Sequence, residues 1–494
     1  MLASKLQKLI LASALAFVVP WWMAGVPVIG LAYVIFHPSL TGPFLAVVAV
    51  VLGLSVLILV CPVIRFVTLP AGARRHYLPA LWYRWRWTWL CRNLGLAYLD
   101  KHTRMLRPGM TRTAVVVKRR HGEGEHGQAR ILRTPRARFK PDPFGIVATV
   151  RTVPGSGRAE FEAAAEHIAN SWHCHRVQIH QPRPGRLIVR GLREDPLAVP
   201  YASADAPQRV AEAWQLHLGR DEWGTDRHAQ LAGLTGISVA GLPGYGKTQL
   251  ISSWLCELAP DPAVQLVLVD GKDGGDYSAW EDRAWLHCGD RLADAAGVLE
   301  DCHSLMRSRL NAVLERTGHR NAWHIGPTPD FPLVVIVIDE AHTYFDTDAV
   351  KGDRQAEAHV RTCRALVGQL VRKGRSVLML TVLATQKPTA DSIPTAIRDN
   401  SGLSLSFAVK TRDAAVAALG DQIREYPSYC PTTLQDPAYV GVATARLRTG
   451  HDPYVRLRVP EITEAEACRR AAETANARHD PTLPVSIPGE LVPA

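Results

Sequence analysis

Hydrophobic positions in this 494-residue chain follow three patterns in succession. The first is unbroken. Residues 9–36, from Leu9 to Phe36, are almost wholly apolar with interruptions at Pro20 and Pro27, and residues 43–64 form a second uncharged run. Each run exceeds the roughly 20 residues that a spanning helix needs. The pattern predicts a transmembrane helical hairpin over residues 1–70, and a second run so close to the first argues against a cleaved signal peptide. Within residues 71–140 the pattern becomes aromatic and basic. Leu81–Leu90 interleaves Trp and Tyr with Arg, which predicts a segment at a membrane–water interface, with base stacking on the indoles as the alternative. Residues 118–140 are basic, carry Gly and Pro, and show no apolar period, as a linker does.

The second pattern, over residues 141–204, mixes periods of two and 3.6. Phe144–Val153 alternates as a strand. Ala159–Trp172 places Phe161, Ala164, Ala165 and Ile168 on one helical face. Arg176–His180 and Arg186–Val189 predict two strands joined by a Pro/Gly turn. These elements predict a small α/β domain. The third pattern fills residues 205–460, where short continuous apolar runs alternate with helical stretches. Ile237–Ala240, Val264–Val269, Leu333–Ile338, Val377–Ala384, Leu403–Val409 and Tyr439–Ala443 predict strands, and Gln249–Leu258 and Arg291–Arg316 predict helices. Runs without alternation indicate parallel strands buried on both faces. Residues 461–494 hold one helix, Thr463–Arg478, and a Pro-rich tail.

Chemistry enters at the ends of these runs. Gly241-Leu242-Pro243-Gly244-Tyr245-Gly246-Lys247-Thr248 spells a phosphate-binding loop between a strand and a helix that continues with Gln249. Its glycines let backbone N–H groups face phosphate oxygens, and the helix N-terminus adds partial positive charge. Lys247 is placed for the β/γ-phosphates and Thr248 for Mg²⁺. The run Leu333–Ile338 ends in Asp339-Glu340. Asp339 is expected to hold Mg²⁺ and Glu340 to polarise the attacking water. The strand Val377–Ala384 ends in Thr385-Gln386, and Gln386 is expected to sense the γ-phosphate. These features predict a RecA-like P-loop ATPase domain that uses ATP and Mg²⁺. His173-Cys174-His175 alternates across a strand and so makes a poor metal site.

Charge sharpens the picture. The net charge is +11, yet residues 65–140 alone hold 18 Lys/Arg against three acids, which leaves the remainder slightly acidic. A basic block directly after an apolar run points to a membrane surface rather than to a nucleic-acid coat. Lys5 and Lys8 precede the first run, Arg65, Arg74 and Arg75 follow the second, and His37–Gly42 between them has no Lys or Arg. Both termini are therefore expected in the cytoplasm, in a multi-pass protein of the cytoplasmic membrane. None of the nine cysteines forms C-x-x-C, in keeping with a reducing compartment.

In order and spacing these pieces resemble the FtsK/SpoIIIE family of DNA translocases. The likeness is carried by Leu218-Gly219-Arg220-Asp221, Gly241–Thr248, Val269-Asp270-Gly271-Lys272, Val334–Glu340 and Leu383-Ala384-Thr385-Gln386-Lys387-Pro388, over about residues 140–460. The compact form, with no long Pro/Gln linker, is similar to the TraB/TraSA-like conjugal-transfer proteins of mycelial bacteria. The resemblance implies an ATP hydrolase that moves double-stranded DNA as a membrane-anchored homo-hexamer, with an arginine finger from the neighbouring subunit. Arg372, Arg375, Arg398 and Arg412 are the candidates for that finger. Glu461–Ala494 is shorter than the winged helix the family carries there, so sequence-directed loading by this chain is not expected. Two alternatives remain. One is a chromosome-segregation pump of the same family. The other is a secretion-type ATPase exporting proteins, against which a single phosphate loop weighs.

Overall fold

The computed structural model describes residues 62–100, 131–203, 214–272, 275–389, 392, 395–447 and 453–482. It divides into two compact units, Met1–Glu194 and Asp195–Ala494.

The longest helix of the first unit among the described residues is α1, Tyr77–Asn93. One stripe of this helix, Tyr77, Ala80, Tyr83, Trp87, Leu90 and Cys91, is buried. The stripe faces an antiparallel sheet of β1 (Arg136–Asp142), β2 (Gly145–Arg151), β3 (Arg176–Arg183) and β4 (Arg186–Leu192), in the order β1-β2-β4-β3. Between β2 and β3 lie α2 (Arg158–Ala163) and α3 (Ala165–Trp172). Buried Tyr and Trp need partners for their polar atoms. Tyr83 donates its hydroxyl to the Trp172 carbonyl at 2.7 Å, and Trp87 donates its indole N–H to the Pro135 carbonyl at 2.8 Å. Leu90 and Phe161 share this core, each burial contributing about 1.5–3 kcal/mol.

The Trp/Arg run is thus partly core: Tyr83, Trp87 and Leu90 are buried, while Trp82, Trp85 and Trp89 stay exposed with Leu81, Arg84 and Arg86. The Arg86 guanidinium lies 4.7 Å from the Trp82 ring centroid and 4.6 Å from that of Trp89. Such contacts satisfy the outer face by cation–π attraction. Part of the expected basic linker is β1. It is an edge strand whose Arg136, Arg138 and Lys140 turn outward while Phe139 is buried. Charge on an edge blocks further strand pairing, and the outward Arg and Lys alternate with the inward Ala137 and Phe139.

The second unit is built on a ten-stranded sheet. Its strands are β5 (Gln215–Asp221), β6 (Asp226–Gln230), β7 (Gly236–Ala240), β8 (Val264–Asp270), β9 (Ala284–Cys288), β10 (Leu333–Asp339), β11 (Met379–Thr385), β12 (Leu403–Ser406), β13 (Val442–Arg446) and β14 (Tyr454–Arg458). The order is β9-β8-β10-β11-β7-β12-β13-β14-β5-β6. From β9 to β12 the strands run parallel, and β13, β14, β5 and β6 add antiparallel pairs. Every residue of β7, β8, β10 and β11 is buried, as expected of parallel strands covered on both faces. The connecting helices include α4 (Lys247–Leu258), α5 (Leu292–Thr317), α6 (Arg354–Lys373) and α7 (Arg412–Leu419); α8 (Glu464–Thr474) follows the sheet. The hairpin β5–β6 was not expected from the sequence. Its turn is held by Asp221, whose Oδ1 accepts the N–H groups of Trp223 and Thr225 at 2.9 and 2.8 Å. An Asp that caps its own turn leaves no hydrophobic signal.

Localisation as a multi-pass membrane protein requires correction. Among the described residues no helix is long and apolar enough to cross a membrane. α1 carries Arg84, Arg86 and Arg92 and buries its apolar stripe in protein rather than lipid. The runs at 9–36 and 43–64 that carried that expectation lie outside the described residues, apart from 62–64.

Candidate nucleotide site

Strand register builds the site. β8 and β10 pair so that Asp270 stands opposite Asp339, and β11 and β7 pair so that Thr385 stands opposite Ala240. The C-terminal ends of four adjacent parallel strands therefore meet in one row, the place where open α/β sheets bind ligands. The loop Gly241–Gly246 leaves β7 at this edge and leads into α4 at Lys247. Backbone bonds fix its start: Gly241 N–H donates to the Thr385 carbonyl at 3.2 Å and Leu242 N–H to the Ala408 carbonyl at 2.8 Å. Gly241 has φ +151°, and a Cβ there would fall 2.6 Å from the Phe407 Cβ. Gly246 has φ +106°, and its Cβ would press on Gly441 at 3.2 Å. Neither position accepts a side chain without displacing its neighbour.

Lys247 is 6% exposed although it carries a charge. Its ammonium donates to the carbonyls of Gly241 at 2.9 Å and Leu242 at 3.2 Å. Burial pushes its pKa down, while Glu340 and Asp339 pull it up. A buried ammonium whose hydrogen bonds among the described residues go to loop carbonyls, under a loop of left-handed glycines, fits a phosphate group as its further partner. Thr248 follows it on α4, half-buried, and Pro243 and Gly244 are exposed on the loop. Tyr245 donates its hydroxyl to the Gln435 carbonyl at 2.6 Å, which ties the middle of the loop to the segment after α7.

The acids lie alongside. Asp339 is 5% exposed; its Oδ1 accepts the Glu340 N–H at 2.8 Å and its Oδ2 accepts the Tyr277 hydroxyl at 3.2 Å. Burial raises its pKa, the Glu340 N–H lowers it, and the charge of Glu340 raises it again. Asp270, on the neighbouring strand, is also pushed up by burial. A cation between Thr248 and Asp339 would offset this cost, so the residues fit Mg²⁺. Glu340 has φ +49°, a left-handed conformation that is costly for a glutamate, and it too is buried. Its Oε2 accepts the backbone N–H of Gln386 at 3.0 Å. Gln386 thus meets Glu340 through its main chain, a contact that the sequence does not signal. An open cleft of about 390 Å³ borders the loop, with Leu242, Pro243, Gln386, Lys387 and Lys410 in its wall.

Sequence reasoning missed Tyr277. It sits in an irregular segment after β8 and is fully buried under the acids, with nothing periodic to mark it. Tyr277→Phe keeps the ring and removes one hydrogen bond to Asp339. The expected result is a Mg²⁺ requirement for ATP hydrolysis about two- to tenfold higher, from the roughly 0.5–1.5 kcal/mol of one such bond. A Mg²⁺ titration of initial rates checks this, and an unchanged midpoint would remove Tyr277 from the site.

The four candidate finger arginines separate. Arg372 and Arg375 lie where α6 ends and β11 begins, the sheet edge opposite the loop. Arg398 also precedes its strand, β12, and is engaged with Asp399 at 2.8 Å and the Val416 carbonyl at 3.2 Å. Arg412 follows β12 and is exposed, so it stands on the same sheet edge as the loop.

Fold and site together define a P-loop ATPase core on a mixed α/β sheet. The chain is similar in sequence to DNA translocases of the FtsK type, in line with the motif resemblance. A DNA translocase FtsK of Ralstonia nicotianae is 30% identical over 260 residues, which covers 47% of this chain and 31% of that protein. One of Vibrio vulnificus is 25% identical over 313 residues, covering 55% of this chain and 30% of the relative. The chain thus matches about a third of the length of these relatives. Among solved structures, the pCW3 conjugation coupling protein TcpA superposes with a TM-score of 0.48 at 17% identity, over 69% of this chain and 93% of the other. No family model matches the chain.

Proposed function

We propose that this protein is an ATP-driven translocase of double-stranded DNA that works as a homo-hexameric ring in conjugal transfer. The observation that carries the reading is the single edge on which the phosphate loop, Asp339 and Glu340 meet, in a chain whose sequence relatives are DNA translocases. Lys247 and the loop N–H groups bind the ATP phosphates. Thr248 and Asp339 would hold Mg²⁺, which supplies charge neutralisation when bound. Glu340 polarises the attacking water, and Gln386 reports the state of the γ-phosphate to the segment after β11. The motor is RecA-like, with the small α/β unit ahead of it. The compact spacing, without a long Pro/Gln linker before the small unit, favours conjugal transfer over chromosome segregation. In a ring the neighbouring copy supplies the arginine finger.

The deciding experiment is ATP hydrolysis by the full chain with and without duplex DNA. Stimulation by duplex DNA is expected, and hydrolysis indifferent to DNA would overturn the translocase reading. A binding prediction accompanies it. Contacts inside a ring reach mainly phosphates, which position DNA but carry no sequence information. Duplex binding is therefore expected to show little sequence preference and to weaken steeply with salt, by about 10³-fold or more between 50 and 200 mM for six or more phosphate contacts. Competition between a transfer-origin segment and random duplex of equal length measures the first point. A preference above about 100-fold would reveal a base-reading element instead.

A further inference from the structure

The carboxylate of Glu340 has a second neighbour that the proposed chemistry does not use. Nδ1 of His342 lies 3.4 Å from Glu340 Oε2, the same oxygen that accepts the Gln386 N–H at 3.0 Å. His342 opens the short helix His342–Phe345, so this donor arrives from one side and β11 from the other. The Nδ1 atom is buried, and no hydrogen bond satisfies it among the described residues. A buried ring nitrogen without another partner is costly unless it engages the acceptor in front of it. The backbone beneath is locked: Ala341 N–H donates to the Ala384 carbonyl and Thr343 N–H to the Glu340 carbonyl, both at 2.8 Å. The Glu340 carboxylate is then held by the Gln386 N–H on one side and faces His342 on the other.

We propose that His342 is a positioning residue for ATP hydrolysis, holding Glu340 Oε2 through Nδ1–H so that Oε1 is presented to the attacking water. The inference rests on the reading of Glu340 as the group that polarises water. Two donors on one oxygen fix the plane of a carboxylate and leave the second oxygen as the base. The distance of 3.4 Å is long for a hydrogen bond, and contacts of this kind tighten once substrate is in place. In the neutral imidazole this role requires the proton on Nδ1 and leaves Nε2 as the acceptor. With its side chain 24% exposed, His342 is not a core residue, and its replacement leaves the surrounding packing largely intact.

The test uses the full chain and two substitutions. His342→Leu removes the donor, whereas His342→Asn places an amide nitrogen close to where Nδ1 stands. The Leu variant is expected to lose about tenfold or more in kcat, with KM and the affinity for a non-hydrolysable ATP analogue within about twofold of the parent. The Asn variant is expected to recover to within about threefold of the parent. In a Glu340→Gln background, His342→Leu is expected to cost nothing further, because the group it orients is already lost. Equal losses in the Leu and Asn variants would overturn the proposal, as would a full tenfold loss in the Glu340→Gln background. Unaltered kcat in the Leu variant of a hydrolysing parent overturns this inference alone. A parent that hydrolyses no ATP overturns the functional reading and this inference with it.

Discussion

Lys247→Ala is expected to weaken ATP binding by about 100-fold or more. The estimate follows from the roughly 2–5 kcal/mol lost when one partner of a buried, hydrogen-bonded charge pair is removed. The structure makes the loss specific. The ammonium is buried among loop carbonyls, and the loop itself is anchored elsewhere, through Gly241 N–H on Thr385 and Leu242 N–H on Ala408. Removing the ammonium therefore takes away the cation without releasing the loop, and the fold is expected to survive. Titration with a fluorescent ATP analogue, alongside thermal unfolding of parent and variant, separates the two effects. Near-parental affinity would mean that the phosphates bind elsewhere.

The candidate site's edge of the sheet was visible in the sequence because two strong signals coincide there. Continuous apolar runs mark strands buried on both faces, and these two end in residues whose type has a chemical reason: glycines and Lys247 after β7, Asp339 and Glu340 at the end of β10. The register that sets Asp270 beside Asp339 follows once those strands are parallel neighbours. What the sequence hid shares a different physics. β6 is a polar strand at the sheet edge with no apolar run, and β1 alternates as R-A-R-F-K-P but carries only Ala137 and Phe139 as inward apolar residues inside a basic stretch, so its composition reads as a linker. α1 hid for the opposite reason. Its Trp and Arg residues match an interfacial segment in composition, and only the spacing of Tyr83, Trp87 and Leu90 distinguishes a stripe buried in protein. Tyr277 and His342 meet Asp339 and Glu340 through single contacts, made across the fold or around a tight turn, and no local pattern encodes such contacts. The role expected of the Gln386 side chain depended on residue type, whereas the recorded contact is made by its backbone, which any residue but proline supplies.

Glu340→Gln is expected to bind ATP and Mg²⁺ as the parent does and to hydrolyse ATP about 100-fold or more slowly, the usual share of a positioned general base. The amide keeps the size of the side chain and can still accept the Gln386 N–H through its carbonyl oxygen, so the strained backbone at φ +49° keeps its support. What disappears is the negative charge that, on the proposed mechanism, draws a proton from water. Asp339→Asn should behave differently. Asp339 faces the Tyr277 hydroxyl and the Glu340 N–H, both donors, and its charge is already disfavoured by burial. Its amide variant keeps one acceptor oxygen for the Glu340 N–H, presents an NH₂ donor to the Tyr277 hydroxyl, which can rotate to accept it, and loses the charge that a divalent cation would share. Mg²⁺-dependent affinity should fall, while ATP binding measured in a chelator should not. The two neighbouring acids are thus separated by one pair of measurements, ATP affinity with and without Mg²⁺ and the single-turnover rate of hydrolysis. Glu340→Gln should move only the rate, and Asp339→Asn should move the Mg²⁺-dependent affinity first. Identical behaviour of the two variants would show that the carboxylates act as one metal-binding pair, and the base would then have to be sought among other groups on the same sheet edge, beginning with Asp270.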